Sequence, residues 1–274
     1  MHVKRPIIIS LAPVGFWENS ENVPLLTPSK IANEVEQCVN EGAAMVHLHV
    51  RNERGEASTD MEVFNATVEA IQKNCDVVVQ GSTGGVKGLT AKERCVVLQS
   101  DLIEMASLNM GSTNFFDGVY INSPSDIRYW ASEMKNRSVV PELELFSLTM
   151  VTNTIQLIDE GLLAPPPRFG LCMGIPGAIP LDPRFIFMAT QLMPEDAVWG
   201  LMLHGKTNPK LIATALSLGA AWIRVGFEDS PVDVYGRKAA YNAELVKPVR
   251  KYIELLGYTI ADTRTARRIL RIEE

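Results

Sequence analysis

Short apolar runs rich in β-branched residues recur along the chain. Each is followed by a stretch whose apolar positions return every three to four residues. The first pattern predicts buried strands and the second amphipathic helices. Strands are predicted over Pro6–Pro13, Met45–Arg51, Val77–Thr83, Leu102–Asn109, Val140–Ser147, Arg168–Ile175, Ala197–His204 and Trp222–Asp229. The helices between them are predicted over Thr27–Gly42, Met61–Cys75, Thr90–Ser100, Ser125–Lys135, Val151–Gly161, Pro183–Leu192, Pro209–Gly219 and Tyr241–Gly257. A last amphipathic piece covers Thr263–Ile272. The first helix shows the end signals clearly: Thr27 as cap, Pro28 at the first helical position, and Gly42 where a left-handed residue is wanted.

Eight βα units in 274 residues allow about 34 residues each. Strict alternation implies a parallel sheet with right-handed crossovers, and eight such units close into a barrel. The expected fold is therefore α/β: a (β/α)8 TIM barrel with a C-terminal extra helix, one domain over residues 1–274. The runner-up, a doubly wound open sheet, wants a Gly-rich fingerprint after the first strand, and Val14–Asn22 has none.

Composition narrows the function. Hydrophobic residues are 46% and charged residues 21%, which excludes a disordered chain and a disulfide-stapled miniature. The net charge of −6, with no basic stripe, argues against nucleic acid or an anionic membrane as partner. Cys38, Cys75, Cys95 and Cys172 form no C-x-x-C pair and read as buried, reduced thiols of a cytoplasmic protein. No apolar run approaches the ~18 residues of a spanning helix. The N-terminal apolar stretch reads as a first strand rather than a signal peptide.

Barrels of this kind carry their chemistry at the C-terminal ends of the strands. There the sequence places His47 and His49, Ser82-Thr83-Gly84-Gly85, Ser107 and Asn109, Glu142 and Glu144, His204, and Arg224 with Glu228 and Asp229. Residues i and i+2 share a strand face, so His47 and His49 point together, with Arg51 beyond them. Two imidazoles side by side suit a transition metal, most often zinc, or they are simply two hydrogen-bonded histidines. Arg224, Gly226 and Glu228 share a face, which makes Glu228 a candidate third ligand and Asp229 a base beside it. The alternative is a rim salt-bridge network. Glu142 and Glu144 also share a face, and a buried one needs Arg, a metal or a substrate as partner.

Seven motifs resemble, in order, those of the β-keto acid cleavage enzymes: Gly42–Asp60 (GAAMVHLHVRNERGEASTD), Ser82–Gly85, Glu104–Phe115, Pro141–Phe146, Gly174–Pro180, Ile223–Asp229 and Asn242–Val246. The resemblance implies zinc on His47, His49 and Glu228, Asp229 as general base, and Arg224 as its orienting cation. It implies that Ser82, Thr83 and Gly84 hold a substrate carboxylate, and that Asn109 and either Glu142 or Glu144 line the pocket. The implied reaction takes a β-keto acid and acetyl-CoA to acetoacetate and the CoA ester of the remaining acyl part, in a homo-oligomer, by family tendency a tetramer. Loops Gly15–Leu26 and Ser230–Ala240 are candidate interface material. Departures include His49-Val50-Arg51 for His-Ala-Arg, Ser230 after Asp229, and Leu203-His204-Gly205-Lys206 at the seventh strand. Trp17 and Glu18 are candidates to choose the acyl group. Arg51, Arg54, Lys87, Lys206, Lys210 and Arg237 are candidates to meet CoA phosphates. Two other functions remain open: a metal-dependent hydrolase or aldolase on the same barrel, and a non-catalytic zinc-bound barrel in an assembly.

Overall fold

A computed structural model describes residues 5–15, 26–84 and 89–272. Trp17, Glu18, Gly85 and Lys87 lie outside the described residues, as does most of the loop Gly15–Leu26. The barrel strands are β1 (Pro6–Leu11), β2 (Ala43–Leu48), β3 (Val78–Gly81), β4 (Met105–Asn109), β5 (Val140–Leu145), β6 (Arg168–Met173), β7 (Val198–Leu203) and β8 (Trp222–Val225). Each pairs in parallel with the next, and β8 closes on β1 through Ile8↔Trp222 to Leu11↔Val225. The expected closed barrel is the observed one.

The helices are α1 (Pro28–Asn40), α2 (Met61–Asn74), α3 (Ala91–Arg94), α4 (Pro124–Asn136), α5 (Met150–Asp159), α6 (Pro183–Leu192), α7 (Pro209–Ser217), α8 (Ala243–Leu255) and α9 (Thr263–Leu270). Ile7, Ile9, Leu11, Val46 and Leu48 face this helical layer. Ile8, Met45, Val78, Met105 and Trp222 face inward and pack on Ala261, Ala266 and Leu270, so α9 seals the floor with an apolar plug. Arg168 ties that plug down by donating from Nε to the Leu270 carbonyl (2.5 Å). Polar chemistry is thereby left to the opposite end.

Four local expectations are corrected. Thr27 makes no cap bond to the helix backbone; its hydroxyl lies 3.4 Å from Ser29 Oγ instead. The helix expected over Thr90–Ser100 is one α turn, opened by a Thr90/Glu93 capping box, then a 3-10 turn over Val96–Gln99. The tighter winding seats Val97 on Gly81, where a Cβ would lie 2.4 Å from its methyl. The strand expected to run to Arg51 stops at Leu48. Val50–Arg51 pairs instead with Ala57–Ser58, and Arg51 donates to the carbonyls of Gly55 and Gly15.

β8 ends at Val225 rather than at the expected Asp229. Gly226 has φ +149°, and a Cβ there would lie 2.0 Å from the Ala12 carbonyl oxygen. Only glycine fits that close approach. The chain then turns, with Asp229 and Ser230 donating N–H to the Gly226 carbonyl (3.0 and 2.9 Å). Glu228 and Asp229 therefore reach Arg224 by a turn, not by sharing a strand face with it.

Another glycine sets the inner packing. Trp222 lies across Gly200, where a Cβ would sit 2.2 Å from the indole nitrogen. We expect Gly200→Ala to cost about 1–3 kcal/mol in a denaturant titration, because the barrel interior cannot shift a fully buried indole. An unchanged midpoint would contradict this packing.

Candidate active site

His47 sits on the inner face of β2, buried to 2% exposure, and His49 stands just past the strand at the rim. Their rings are 5.3 Å apart. Both Nε2 atoms converge on Glu228 Oε1, at 3.6 Å from His47 and 3.7 Å from His49. One ligand atom from each residue falls within a 4.8 Å cluster. Atoms about 2.0–2.2 Å from a tetrahedral zinc stand about 3.3–3.6 Å apart, so the spacing suits a shared ion better than direct hydrogen bonds. Glu228 Oε2 is buried and has no hydrogen-bond partner, a further free donor atom for a cation.

The electrostatics suit the same use. Burial, with Arg224 adding to it, pushes His47 down to about 3, so the ring is neutral and offers a lone pair. Burial alone would raise the Glu228 carboxyl, but Arg224 and the two histidines outweigh it and hold it well below the usual range. Two neutral imidazoles and one carboxylate would leave a zinc ion one open position.

Arg224 organises the acids beside this cluster. Its Nε and Nη2 donate to the two oxygens of Asp229, both at 2.8 Å. Nη2 also donates to Glu228 Oε1 at 2.8 Å, and Nη1 lies 3.4 Å from Glu144 Oε1. Burial lifts Asp229 above an ordinary aspartate although Arg224 opposes it. Burial also pushes Glu144 up to about 8, so it is largely protonated at neutral pH. One guanidinium thus faces an ionised Glu228, a largely protonated Glu144 and Asp229 between them in charge tendency. Asp229 is held in a fixed orientation with raised basicity.

These groups open on a cavity of about 750 Å³. Ser82, Gly84, Asn109 and Glu144 line it with the two histidines, Arg224, Glu228 and Asp229. His204, at the end of β7, lines it too and packs against Phe116. Three expected residues are set back from it. Thr83 and Ser107 are tied to each other, through Thr83 N–H to Ser107 Oγ (3.1 Å) and Thr83 Oγ1 to the Ser107 carbonyl (2.6 Å). Glu142 lies one layer deeper, accepting from Gln80 Nε2 at 2.5 Å. Of the basic residues proposed for CoA, the described ones (Arg51, Arg54, Lys206, Lys210, Arg237) do not line the cavity.

A family model for the β-keto acid cleavage enzymes matches residues 6–272. The chain is 33% identical to the 3-keto-5-aminohexanoate cleavage enzyme of Fusobacterium nucleatum, over 98% of each chain. It is 32% identical to the 3-oxoadipate:acetyl-CoA acetyltransferase of Cupriavidus necator, covering 97% of this chain and 95% of that one. The chain belongs to the β-keto acid cleavage enzyme family. Apo ObcA shares the fold, with a TM-score of 0.73 at 23% identity over 92% of this chain and 66% of ObcA.

Several residues of this family member's site were not foreseen. Thr113–Phe115 and Gly118–Tyr120 form a hairpin over the barrel mouth. It reaches from His204, under Phe116, to Asn109, whose Nδ2 donates to Tyr120 Oη at 3.1 Å. Arg94 braces it, donating to Tyr120 Oη, Asn122 Oδ1 and the Ile121 carbonyl while stacking on Trp130. The signal available was the Asp117-Gly118 pair between aromatic residues, a hairpin-turn composition. For Gln80 it was one amide inside an otherwise apolar strand, Val77–Gln80.

Proposed function

We propose that the chain cleaves a β-keto acid with acetyl-CoA, releasing acetoacetate and an acyl-CoA, with zinc held by His47, His49 and Glu228. The observation that carries this is the convergence of those three ligand atoms beside an Arg224-clamped Asp229 at one end of a large cavity. A zinc ion held there would supply Lewis acidity to the keto acid's oxygens. Asp229 takes the proton from C2 of the keto acid. The resulting enolate carbon attacks the acetyl thioester and expels the CoA thiolate. That thiolate adds to the original ketone carbon, and the C2–C3 bond breaks to give acyl-CoA and the acetoacetate enolate, which is reprotonated. Arg224 keeps Asp229 ionised and aimed throughout. Ser82 Oγ and the Asn109 amide supply polar contacts for the substrate carboxylate, with Gly84 leaving room beside them. Thr83 and Ser107 hold that wall in place.

The described walls favour a tail without a second negative charge. Phe115, Tyr120 and Phe146 pack with ring centroids 5.5 to 6.4 Å apart, and Ile175 and Met202 continue the apolar wall. The cavity's described cations, Arg94 and Arg224, already have their partners. A panel of β-keto acids assayed for acetoacetate with acetyl-CoA tests this. A neutral-tailed acid should exceed a dicarboxylic one by about tenfold or more in kcat/KM, a difference of about 1.4 kcal/mol. Acyl-amide hydrolysis without acetyl-CoA would instead support a hydrolase. The proposal includes a homotetramer in the cytoplasm, with Ser230–Ala240 in an interface. None of the described helices is long and apolar enough to cross a membrane.

A further inference from the structure

Below His47 a buried polar chain crosses the barrel. Gln80 on β3 and Glu142 on β5 are 0% and 1% exposed. Gln80 Oε1 lies 2.6 Å from His47 Nδ1, and Gln80 Nε2 donates to Glu142 Oε2 at 2.5 Å. The Trp222 indole, from β8, lies close to the Glu142 carboxylate. Space is cleared for both partners. A Cβ at Gly170 would lie 2.3 Å from Glu142 Oε1, and one at Gly200 would lie 2.2 Å from Trp222 Nε1.

A carboxylate buried this deeply is costly unless its bonds are satisfied, and apolar side chains could fill the same space. What apolar side chains could not do is give direction. A glutamine amide has one donating and one accepting end. As a carboxylate Glu142 offers only acceptor atoms, and the Gln80 amide nitrogen lies within bonding distance of one of them. Gln80 must then turn its NH2 toward Glu142 and its carbonyl toward His47. His47 must in turn carry its hydrogen on Nδ1. The competing tautomer would turn Nε2–H toward the charge of Glu228, whose Oε1 lies 3.6 Å away.

We propose that Glu142 and Gln80 form a relay that fixes the Nδ1–H tautomer of His47, leaving the Nε2 lone pair free for a cation. Both are positioning residues, and the idea rests on the zinc reading of the site given above. It assigns Glu142 a place behind the ligands rather than in the substrate pocket. Glu144, two residues on, faces Arg224 and the cavity.

The test uses the full-length, metal-free protein with imidazole nitrogens read by 15N NMR, followed by zinc titration. Wild type should show His47 protonated at Nδ1. Gln80→Leu should move the proton wholly or partly to Nε2 and weaken zinc binding about 10- to 100-fold. Glu142→Gln keeps the size but loses the strict acceptor. It should shift the tautomer the same way, and it carries the test if Gln80→Leu does not fold. Two results overturn the relay: Nε2–H in metal-free wild type, or Nδ1–H with unchanged zinc affinity in both variants. An Nδ1–H wild type that binds no zinc would uphold the relay and overturn the zinc reading.

Discussion

His49→Ala is expected to strip the site of zinc and to lower turnover by at least about a thousandfold. Removing one of three ligands leaves a pair, and two ligands do not hold a catalytic ion against water at neutral pH. His49 is the better of the two histidines to remove. It stands at the rim beyond β2, whereas His47 is deep in the wall and bonded to Gln80. His47→Ala would also strand the buried Gln80 carbonyl, at a cost of about 1–3 kcal/mol, and so mix a folding effect with a binding one. Metal content by mass spectrometry and kcat with a saturating β-keto acid should fall together in His49→Ala, with the thermal midpoint little changed. A variant that keeps one zinc per chain would remove His49 from the ligand set. One that loses zinc yet keeps its turnover would remove zinc from the chemistry.

Much of the frame was legible because each element obeys a short-range rule. Pro183–Leu192 is found as expected, since Asp182 caps it, Pro183 opens it and the pattern ends at Met193. The histidine pair was legible from strand alternation, although the strand ends at Leu48 and His49 stands one residue past it. The acids did not follow in the same way. Glu228 and Asp229 are where they were wanted, yet they arrive by a turn at Gly226 that depends on the backbone of Ala12, more than two hundred residues earlier. Alternation also could not separate Glu142 from Glu144. Both point inward, but one step of two residues along β5 moves the carboxyl from the cavity wall beside Arg224 to a buried bond with Gln80. Gln80 stood out as an amide in an apolar strand, but its meaning lies in His47 and Glu142, on two other strands. The hairpin over the mouth carried a turn signal, but nothing local said that it would roof the site.

Asp229→Asn is the change that separates the base from the metal. We expect kcat to fall about 10²–10⁴-fold while one zinc per chain remains, because Asp229 touches Arg224 and is outside the cluster of ligand atoms. The substitution keeps the shape and removes the charge. It also puts an NH2 against one guanidinium N–H, so one of the two 2.8 Å bonds is lost. The guanidinium then has Glu228 and Glu144 as its remaining acids. Glu144 is pushed up to about 8 by burial, and the Asp229 charge contributes to that. In the variant Glu144 should therefore ionise at lower pH and take up part of Arg224. Residual activity rising with pH over the range where Glu144 ionises would show it serving as a weak substitute base. Full activity at neutral pH would reject Asp229 as the base. Loss of zinc together with turnover would mean that Asp229 acts through Arg224 on the placement of Glu228, and the proton would have to leave by another residue facing the same cavity, such as His204.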